Sequence, residues 1–515
     1  MKKWSTVLIL FLALFMLAGC KEKSEVTAQI DILDVDLTTI TFNVIVEDPK
    51  DEITGQLLLK LYNADGVLVQ EREYEQLVDL IGINISRLDN SVTYTIKIYA
   101  TLNRESKLIA ERTFQLASQE TIEIKTPEDF INMKNNRAGN YVLANDLDFS
   151  NTAFEIPFNA TRQFSGTFDG KGFALRNIRI TMVSGQVGVF GHISSGTVSN
   201  VHLENITIGT VQEPLSTNIV FRAGLIAGYV SANTGKIENV HVNGGTLHII
   251  SSFSSTASLV YMGGAVGELR GSMTDVSVTD VKVMMEATGY AGIRLGGVVG
   301  LMFDDATLKN IETNALVELY FNGNQIRNRD LTINVGGLVG QNKATNKSRS
   351  IDNAYSVGDL DVRLNFGTTS DTTTGSYTVS IGGIAGNTST SVHQAFYGGN
   401  IYVSHQASIY EGSVHKEISV GGLFGVYTGN RTTQNTVRIN GKIEVDMPND
   451  VVLFVSSTIA KRATAITQHV YRFHAPALFI NGVDETDSDT SSMTVSIFEV
   501  LTSEWIKEKV QPLIS

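Results

Sequence analysis

The chain has 515 residues, of which 42% are hydrophobic and 18% charged, so it can bury a large core and is not a disordered polymer. Its formal net charge of −13 at pH 7 disfavours nucleic acid and anionic lipid head groups as partners of the protein body. A single cysteine, Cys20, excludes an intrachain disulfide.

Residues 1–19 carry the pattern of a signal peptide. Lys2 and Lys3 give a basic start, and the apolar run Val7–Ala18 follows. This run is shorter than the roughly 20 apolar residues that cross a bilayer as a helix. Because small residues close the run, the sequence predicts a secretory leader with cleavage directly after it.

The last residues of this leader, Leu17, Ala18 and Gly19, precede Cys20. Together they resemble the lipobox of bacterial lipoproteins. The resemblance implies cleavage before Cys20 and a lipid on its sulfur. The protein would then be held on the outer, extracytoplasmic face of the bacterial membrane by that lipid. Residues 20–27 are polar and are expected to form the lipidated tether.

Residues 28–117 alternate apolar and polar side chains in short runs such as Ile40–Val46. A period of two is typical of β-strands, and about seven such strands predict a β-sandwich. Leu88, followed by Tyr94 in the alternating run Thr93–Ala100, resembles the sixth strand of fibronectin type III domains. That resemblance implies a hydrogen bond from the Tyr94 hydroxyl to nearby backbone. An immunoglobulin-like sandwich of another subtype remains an alternative, because the tryptophan usual on the second strand is absent. A spacer role is expected for this domain.

A short helix is predicted where the next domain begins. Thr126 can cap it, Pro127 can start it, and Asp129 can complete a capping box. The apolar Phe130, Ile131 and Met133 are expected to cover the first coil of the domain, since the open end of a repeat protein exposes unpaired strand edges.

Residues 118–447 contain an internal repeat, and Val335–Gly340 is one copy of its short glycine-rich pattern. The pattern occurs seven times at spacings of 33 to 46 residues. The copies end at the closing glycines Gly191, Gly228, Gly267, Gly300, Gly340, Gly386 and Gly425. An amide or carboxylate follows each copy and precedes a strand-like run. These ladder residues are Asn200, Asn239, Asp275, Asn310, Asn353, Gln394 and Asn435.

Glycine at a fixed bend, with short strands between the bends, predicts an all-β fold. We expect a right-handed parallel β-helix, a solenoid, with about two coils per repeat. The closing glycines are expected to adopt φ > 0, which glycine tolerates. The ladder residues are expected to bond to one another along the stack and to satisfy backbone groups of the turns.

These repeats resemble the GLUG motif of bacterial surface proteins, including the N-terminal region of immunoglobulin A peptidases. Two lead-in segments, Gly139–Asp148 and Phe164–Phe173, resemble the part that opens such β-helices. The resemblance covers about Ile122–Met447 and implies a scaffold, because a fold does not fix an activity. The sequence has no His-Glu-x-x-His, the zinc-binding segment that a peptidase of that family needs.

Residues 448–515 are predicted to hold the last coils and a C-terminal capping helix. Trp505, Ile506 and Val510 fall on one face of that helix at the spacing of helical turns. The helix is therefore expected to cover the far end of the solenoid.

Few residues suggest chemistry. The pair Asp304-Asp305, or Arg270 with Arg294, would serve a polysaccharide lyase or hydrolase, but no spacing pairs them. His202 and His241 are expected on one face, and two imidazoles alone make a poor metal site. No catalytic residue, metal ligand or cofactor is predicted.

The sequence therefore predicts a surface binding or adhesion scaffold that is not an enzyme, with a glycan or a surface protein as ligand. Tyr397, Tyr402 and Tyr410 are the candidates for stacking on a glycan. Two alternatives remain, an extracellular polysaccharide lyase or hydrolase on a β-helix and a structural spacer without a ligand.

Overall fold

The chain forms two compact units, Met1–Ala117 and Ser118–Ser515, and nearly all of their regular structure is β. No helix in the described residues is long and apolar enough to cross a membrane. The computed structural model describes residues 25–36, 38–75, 79–89, 92–116, 121–181, 185–209, 215–217, 221–253, 259–289, 292–323, 330–344, 349–365, 376–405, 415–429, 433–448, 451–462, 470–473, 477–486, 493–494 and 502–514.

The first unit contains seven antiparallel strands. They are β1 (Thr27–Val35), β2 (Ile40–Glu47), β3 (Ile53–Asn63), β4 (Leu68–Tyr74), β5 (Leu80–Ile85), β6 (Thr93–Leu102) and β7 (Glu105–Gln115). One sheet has the order β1-β2-β5, and the other has the order β4-β3-β6-β7. Alternate residues of both sheets meet in one hydrophobic core. This arrangement is that of a β-sandwich, as the period-two runs predicted.

Tyr94 makes the backbone contact that the sequence predicted. Its side chain is buried, and its hydroxyl accepts a hydrogen bond from the backbone N–H of Asp89 at 2.9 Å. Its ring stacks on Phe114 with 5.6 Å between the ring centroids. The hydroxyl thus has a partner although the ring lies in the core.

The second unit is built on three sheets of parallel strands. Sheet 1 contains Thr121–Ile124, Asn140–Leu143, Leu147–Asp148, Thr167–Asp169, Ala174–Arg176, Arg179–Ile180, Thr197–Ile208, Leu215–Thr217, Lys236–Phe253, Ser272–Gly289, Thr307–Thr313, Leu316–Asn322, Ile351–Ser356, Leu360–Asn365, Val392–Tyr397, Ile401–His405, Gln434–Ile439, Lys442–Asp446, Val470–Phe473, Ala477–Ile480, Val483–Asp484 and Met493–Thr494. Its one antiparallel pair in the described chain joins Ala477–Ile480 to Val483–Asp484.

The other two sheets have eight described strands each. Sheet 2 contains Gln186–Val187, Phe221–Ala223, Leu259–Gly263, Gly292–Gly296, Leu331–Gly336, Ser376–Gly382, His415–Gly421 and Val452–Ser456. Sheet 3 contains His192–Ile193, Ala227–Val230, Val266–Leu269, Val299–Phe303, Val339–Lys343, Ala385–Thr388, Phe424–Tyr427 and Ile459–Arg462. Inward side chains of all three sheets form one core that runs from Ile124 to Leu478.

The register corrects the predicted number of coils per repeat. In sheet 2, Val335 pairs with Ile381 and Gly336 pairs with Gly382, so each repeat lies directly beside the next one. The chain therefore passes each position once per repeat, where the spacing predicted about two coils. The prediction was wrong because a sequence period does not reveal how many strands one passage contains. Here a passage uses one strand in sheet 2, one in sheet 3 and a strand, often broken in two, in sheet 1.

The closing glycines lie at the corner between sheets 2 and 3, but the predicted reason for them was wrong. Among the seven, only Gly191 has a positive φ, of 58°. At Gly340 a Cβ atom would lie 2.5 Å from the backbone nitrogen of Leu295 and 2.7 Å from the carbonyl oxygen of Gly300. Glycine is required there because the backbones of neighbouring passages touch across the corner.

Positive φ belongs instead to the ladder residues, all seven of which have φ between 51° and 58°. Asn239 Nδ2 donates to Asn200 Oδ1 at 2.9 Å, and Asn353 Nδ2 donates to Asn310 Oδ1 at the same distance. Asn310 Nδ2 donates in turn to Asp275 Oδ1 at 2.7 Å. The predicted side-chain ladder is thus confirmed for these residues, and the left-handed backbone explains why Asn and Asp dominate it.

The predicted N-terminal helix is confirmed as α1 (Pro127–Asn132), followed by the 3-10 turn Met133–Asn135. Thr126 and Asp129 form the expected capping box. Phe130 is fully buried, and its ring centroid lies 5.7 Å from that of Phe168 and 5.5 Å from that of Phe190. The helix therefore covers the start of the core with aromatic contacts.

The C-terminal helix α2 (Glu504–Ile514) was predicted, but its position was not. Its buried Ile506 and Val510 pack against an apolar patch on the outer side of sheet 1. Tyr355, Phe396 and Val437 form this patch at equivalent positions of successive strands. The helix thus lies along the side of sheet 1, where the sequence predicted that it covers the end. An outward row of apolar residues requires such a cover.

Candidate functional site

The outer side of sheet 1 carries a surface of aromatic and planar polar side chains, which we call the aromatic face. It consists of Tyr320, Asp361, Arg363, Tyr402, Lys442, Glu444 and Phe479, with Glu318 at its edge. Period-two alternation places these side chains outward, because their neighbours Leu360, Val362, Ile401 and Val403 point into the core.

Parallel register aligns this face in rows. Asp361 pairs with Tyr402, Tyr402 with Glu444, and Glu444 with Phe479 on consecutive strands. Neighbouring strands lie about 4.8 Å apart, so Tyr402 and Phe479 stand roughly 10 Å apart along the stack. In the adjacent row Tyr320 pairs with Arg363. Aromatic rings thus recur at intervals of two strands on the outer side of sheet 1.

Arg363 is fixed by two contacts. Its Nε and Nη2 donate to the two carboxylate oxygens of Asp361 at 3.1 and 2.6 Å. Its guanidinium carbon lies 4.8 Å from the ring centroid of Tyr320. The hydrogen bonds to Asp361 raise the pKa of Arg363. Burial, with the charge of Glu318, raises the pKa of Tyr320, so its hydroxyl stays protonated at neutral pH.

Each carboxylate of the face is held by a cation. Lys442 Nζ lies 2.8 Å from Glu444 Oε2 and 4.8 Å from the ring centroid of Phe479. Lys282 Nζ lies 2.9 Å from Glu318 Oε2. Such pairing orients the carboxylates as hydrogen-bond acceptors. The face is therefore suited to hydrogen bonding and stacking with a polar ligand.

The predicted tyrosines fall in different environments. Tyr402 is 36% exposed and is the only aromatic residue in the described part of the chain that reaches this exposure. Tyr397 is fully buried, and its hydroxyl donates to the carbonyl oxygens of Gly358 at 2.8 Å and Asn400 at 3.1 Å. Its ring is a core group that a surface ligand does not reach.

The remaining predicted site residues lie outside the described residues. They are Tyr410 and the lipobox with its acceptor, Leu17, Ala18, Gly19 and Cys20.

A second polar cluster lies on sheets 2 and 3 and contains two of the residues considered for an enzyme. Arg270 Nη1 lies 3.1 Å from Asp304 Oδ2, and its Nε donates to Glu268 Oε1 at 3.0 Å. Arg222 Nε donates to the other oxygen of Glu268 at 2.5 Å. Arg222 and Arg270 both stack on Tyr229, at 4.6 and 5.7 Å from its ring centroid.

This arginine cluster links sheet 2 to sheet 3, because Arg222 of sheet 2 bonds to Glu268 of sheet 3. Glu268 is only 2% exposed, and its two oxygens are shared between two guanidinium groups. Burial alone would lower the pKa of Arg270, but its hydrogen bonds to Glu268 outweigh burial and raise it. Buried charges need partners of this kind, and Glu268 and the two arginines are the partners of one another.

The other candidates also have structural partners. Arg294 Nε donates to Gln341 Oε1 at 2.9 Å, and Asp305 accepts from Asn233 at 3.3 Å. His202 and His241 stack with 5.1 Å between their ring centroids, which confirms that they share one face. Among the described residues no group of three or more His, Cys, Asp or Glu residues could hold a metal ion.

The sequence reasoning missed Tyr320 and Phe479, although a signal existed. Tyr320 and Arg363 each stand ten residues after their ladder residues, Asn310 and Asn353. Equal offsets from the ladder predict equal positions in the stack, so alignment of the repeats would have identified this row.

No family model matches this chain, and none of the curated proteins matches it. Two solved structures of β-glucuronidase from Parabacteroides merdae are similar to it over a short part, with 13% sequence identity and TM-scores of 0.16 and 0.17. The similar part covers 24% of this chain and 22% of the β-glucuronidase chain. A likeness this low carries no argument about fold or activity.

Proposed function

We propose that this chain is an extracytoplasmic binding protein that holds a polysaccharide along the aromatic face. The exposed ring of Tyr402 carries the proposal. A sugar ring presents an apolar face and a rim of hydroxyls, so it stacks on an aromatic ring and bonds to planar polar groups beside it. Asp361, Glu444 and Arg363 supply such groups next to Tyr402.

The repeat of the face supports a polymer as the ligand. Tyr402 and Phe479 are two strands apart, roughly 10 Å, which is comparable to the length of a disaccharide unit. A polymer that runs along the stack would meet both rings in succession.

We propose that the three parallel sheets close into a right-handed β-helix, the scaffold that the GLUG resemblance implies, with the fibronectin-like sandwich as a spacer.

The experiment is affinity electrophoresis of the purified protein in gels that contain neutral or acidic polysaccharides, together with measurement of polymer length. We expect retention by at least one polymer without shortening. Tyr402→Ala should weaken retention about tenfold, since stacking contributes about 1–1.5 kcal/mol. Tyr402→Phe should bind as the native protein does, because it keeps the ring.

Val452→Ala is the matched control, since Val452 is an exposed residue of sheet 2, 45% exposed and away from the face. If the Tyr402→Ala protein is retained as strongly as the native protein, the polysaccharide does not bind at Tyr402. Shortening of the polymer would refute a purely binding role.

The anchor is proposed separately, from the lipobox resemblance. Cys20 would carry the lipid and place the protein on the outer face of the membrane. Cells that express the chain and are fed radiolabelled palmitate should label the native protein but not Cys20→Ala. Equal labelling of the two would exclude Cys20 as the acceptor.

A further inference from the structure

The inward row of sheet 1 changes from apolar to polar and then to cationic along the stack. The equivalent positions on successive strands are Val278, Thr313, Ser356, Tyr397, Arg438 and Arg472. Inward positions of parallel sheets are normally apolar. Two arginines in succession on this row require an explanation.

Arg438 is fully buried and has the largest fully buried side chain among the described residues. Its guanidinium carbon lies 4.7 Å from the ring centroid of Tyr397, and Nη1 donates to the Tyr397 carbonyl oxygen at 3.3 Å. Its Nε and Nη2 atoms are buried and have no hydrogen-bond partner among the described residues. A guanidinium is always charged at neutral pH, so this edge presents two donors and a positive charge to the interior.

The two donors form one recognition edge. Nε–H and Nη2–H point in the same direction and match two oxygens of one oxyanion. Arg363 shows this use in the same chain, since its Nε and Nη2 bind both oxygens of Asp361. Arg438 presents the same fork but has no such carboxylate in the described part of the chain.

The charged groups around Arg438 do not provide the missing partner. Burial lowers the pKa of Arg438 to about 10, while Tyr397 and Asp359 act in the opposite direction. The Asp359 carboxylate accepts from the backbone nitrogen and Nδ2 of Asn400, at 2.7 and 3.1 Å. Asp359 thus acts on the Arg438 guanidinium through its charge, while the hydrogen bonds of its carboxylate go to Asn400.

Glycines make room for the guanidinium. A Cβ at Gly441 would lie 2.8 Å from Arg438 Nη2, and a Cβ at Gly422 would lie 3.2 Å from Arg438 Cδ. These positions border the side chain from two directions, so the core is shaped around the cation. A buried charge is strongly destabilising unless an opposite charge accompanies it.

We propose that the last coils enclose a small oxyanion, bound by the Nε and Nη2 groups of Arg438. The ligand has the chemistry of inorganic sulfate or phosphate, with two oxygens that accept from the fork at once. Arg472 is at the equivalent position of the next strand and adds a second positive charge to this row. The anion is a structural part of the solenoid interior and is separate from the aromatic face.

The test is equilibrium dialysis of the full chain against radiolabelled sulfate, at pH 7 and constant ionic strength in chloride. Chloride is the reference because a single atom cannot offer a separate oxygen to each of the two donors. We expect saturable binding of about one sulfate per chain, in competition with phosphate. The melting temperature should rise with sulfate by about 2 °C or more once the site is saturated well above its Kd.

Arg438→Lys keeps the charge but loses the fork, so sulfate should bind at least tenfold more weakly to a protein that still folds. Arg438→Met should abolish binding, and circular dichroism checks its fold. Arg176→Met is the control, since Arg176 is a surface arginine that pairs with Asp146 and Glu204, and it should bind like the native protein.

Absence of sulfate and phosphate binding to the native chain would overturn the proposal, because a carboxylate of the chain or water would then occupy the fork. Equal binding by the native and Arg438→Lys proteins would overturn it as well, since the anion would lie elsewhere.

Discussion

Gln394 and Thr502 exchange two hydrogen bonds across 108 residues of sequence. Gln394 Nε2 donates to Thr502 Oγ1 at 3.0 Å, and the backbone nitrogen of Thr502 donates to Gln394 Oε1 at 2.9 Å. The backbone nitrogen of Ser503 donates to the same oxygen at 3.3 Å. Gln394 occupies a ladder position, so one rung of the ladder is used to hold the start of helix α2.

Shortening the Gln394 side chain should release helix α2 and leave the three parallel sheets intact. In Gln394→Asn the amide is one methylene too short for Thr502, while Asn suits the φ of 52° better than Gln does. Loss of the three hydrogen bonds, each worth about 1 kcal/mol, should raise amide exchange in Glu504–Ile514 at least tenfold. Hydrogen exchange read by mass spectrometry measures this, and the main melting transition should stay in place. Unchanged protection of α2 would show that Ile506 and Val510 hold it alone.

The ladder should contribute to stability through two separable effects, left-handed backbone and side-chain bonds. Asn353 has φ 58° and donates to Asn310. Asn353→Gly keeps the backbone conformation and removes the bond, which should cost about 1 kcal/mol. Asn353→Ala removes the bond and also forces a Cβ into the left-handed region, which should cost about 1–2 kcal/mol more.

Denaturant midpoints of the two Asn353 variants and the native chain measure both effects. Equal midpoints for the Gly and Ala variants would mean that the backbone conformation contributes nothing. If Asn353→Gly is as stable as the native chain, the side-chain hydrogen bond contributes nothing to stability.

Close approach, rather than φ, should make the corner glycines irreplaceable. In Gly340→Ala the new Cβ would lie 2.5 Å from the Leu295 nitrogen, which is backbone and cannot move aside. The expected loss is about 3 kcal/mol or more. Gly172→Ala is the matched control, since Gly172 has φ 81° and a Cβ there would meet no atom within 4 Å, so only about 1 kcal/mol should be lost. The denaturant midpoint of Gly340→Ala should therefore be lower than that of Gly172→Ala. A lower midpoint for Gly172→Ala would contradict the packing argument.

Sequence alone located the ladder and the corners, because both depend on local backbone needs that repeat along the chain. It placed all seven ladder residues at turns before strands, whereas all seven lie inside strands of sheet 1, such as Asn200 in Thr197–Ile208, and interrupt the pairing there with a positive φ. It assigned φ > 0 to the closing glycines incorrectly, since contact between neighbouring passages arises only in the tertiary structure. The prediction of about two coils per repeat was wrong for the same reason.

The candidate site was predictable only in part. Tyr397 points inward and Tyr402 outward, which is what period-two alternation gives for an odd spacing of five, although the strand breaks between them at Gly398–Asn400. Period-two reasoning cannot carry the parity of side chains across such a break. The position of helix α2 depended on an outward apolar row that becomes visible only when the strands are in register.

Stability should fall between pH 6.5 and pH 4 because of His192. Its ring is 4% exposed and packs against Tyr229 at a tilt, with 4.8 Å between the ring centroids. Both of its nitrogens are buried without a hydrogen-bond partner in the described part of the chain. Burial, with the charge of Arg222, lowers the pKa of His192 to about 4. In the unfolded chain the pKa is near 6.5, so the unfolded state binds the proton first and acid favours it.

The His192 contribution is fully present above pH 6.5 and disappears progressively as the pH falls towards 4, by about 3 kcal/mol in total. Carboxylates with lowered pKa, such as Asp146, lose their contribution below this window. Burial also lowers the pKa of His241, which adds a smaller slope of the same sign. Urea unfolding at pH 6.5 and pH 4.5 should therefore show a smaller loss in His192→Gln than in the native chain. Equal losses in the two proteins would mean that His192 is already protonated in the folded state or binds its proton without disturbing the core.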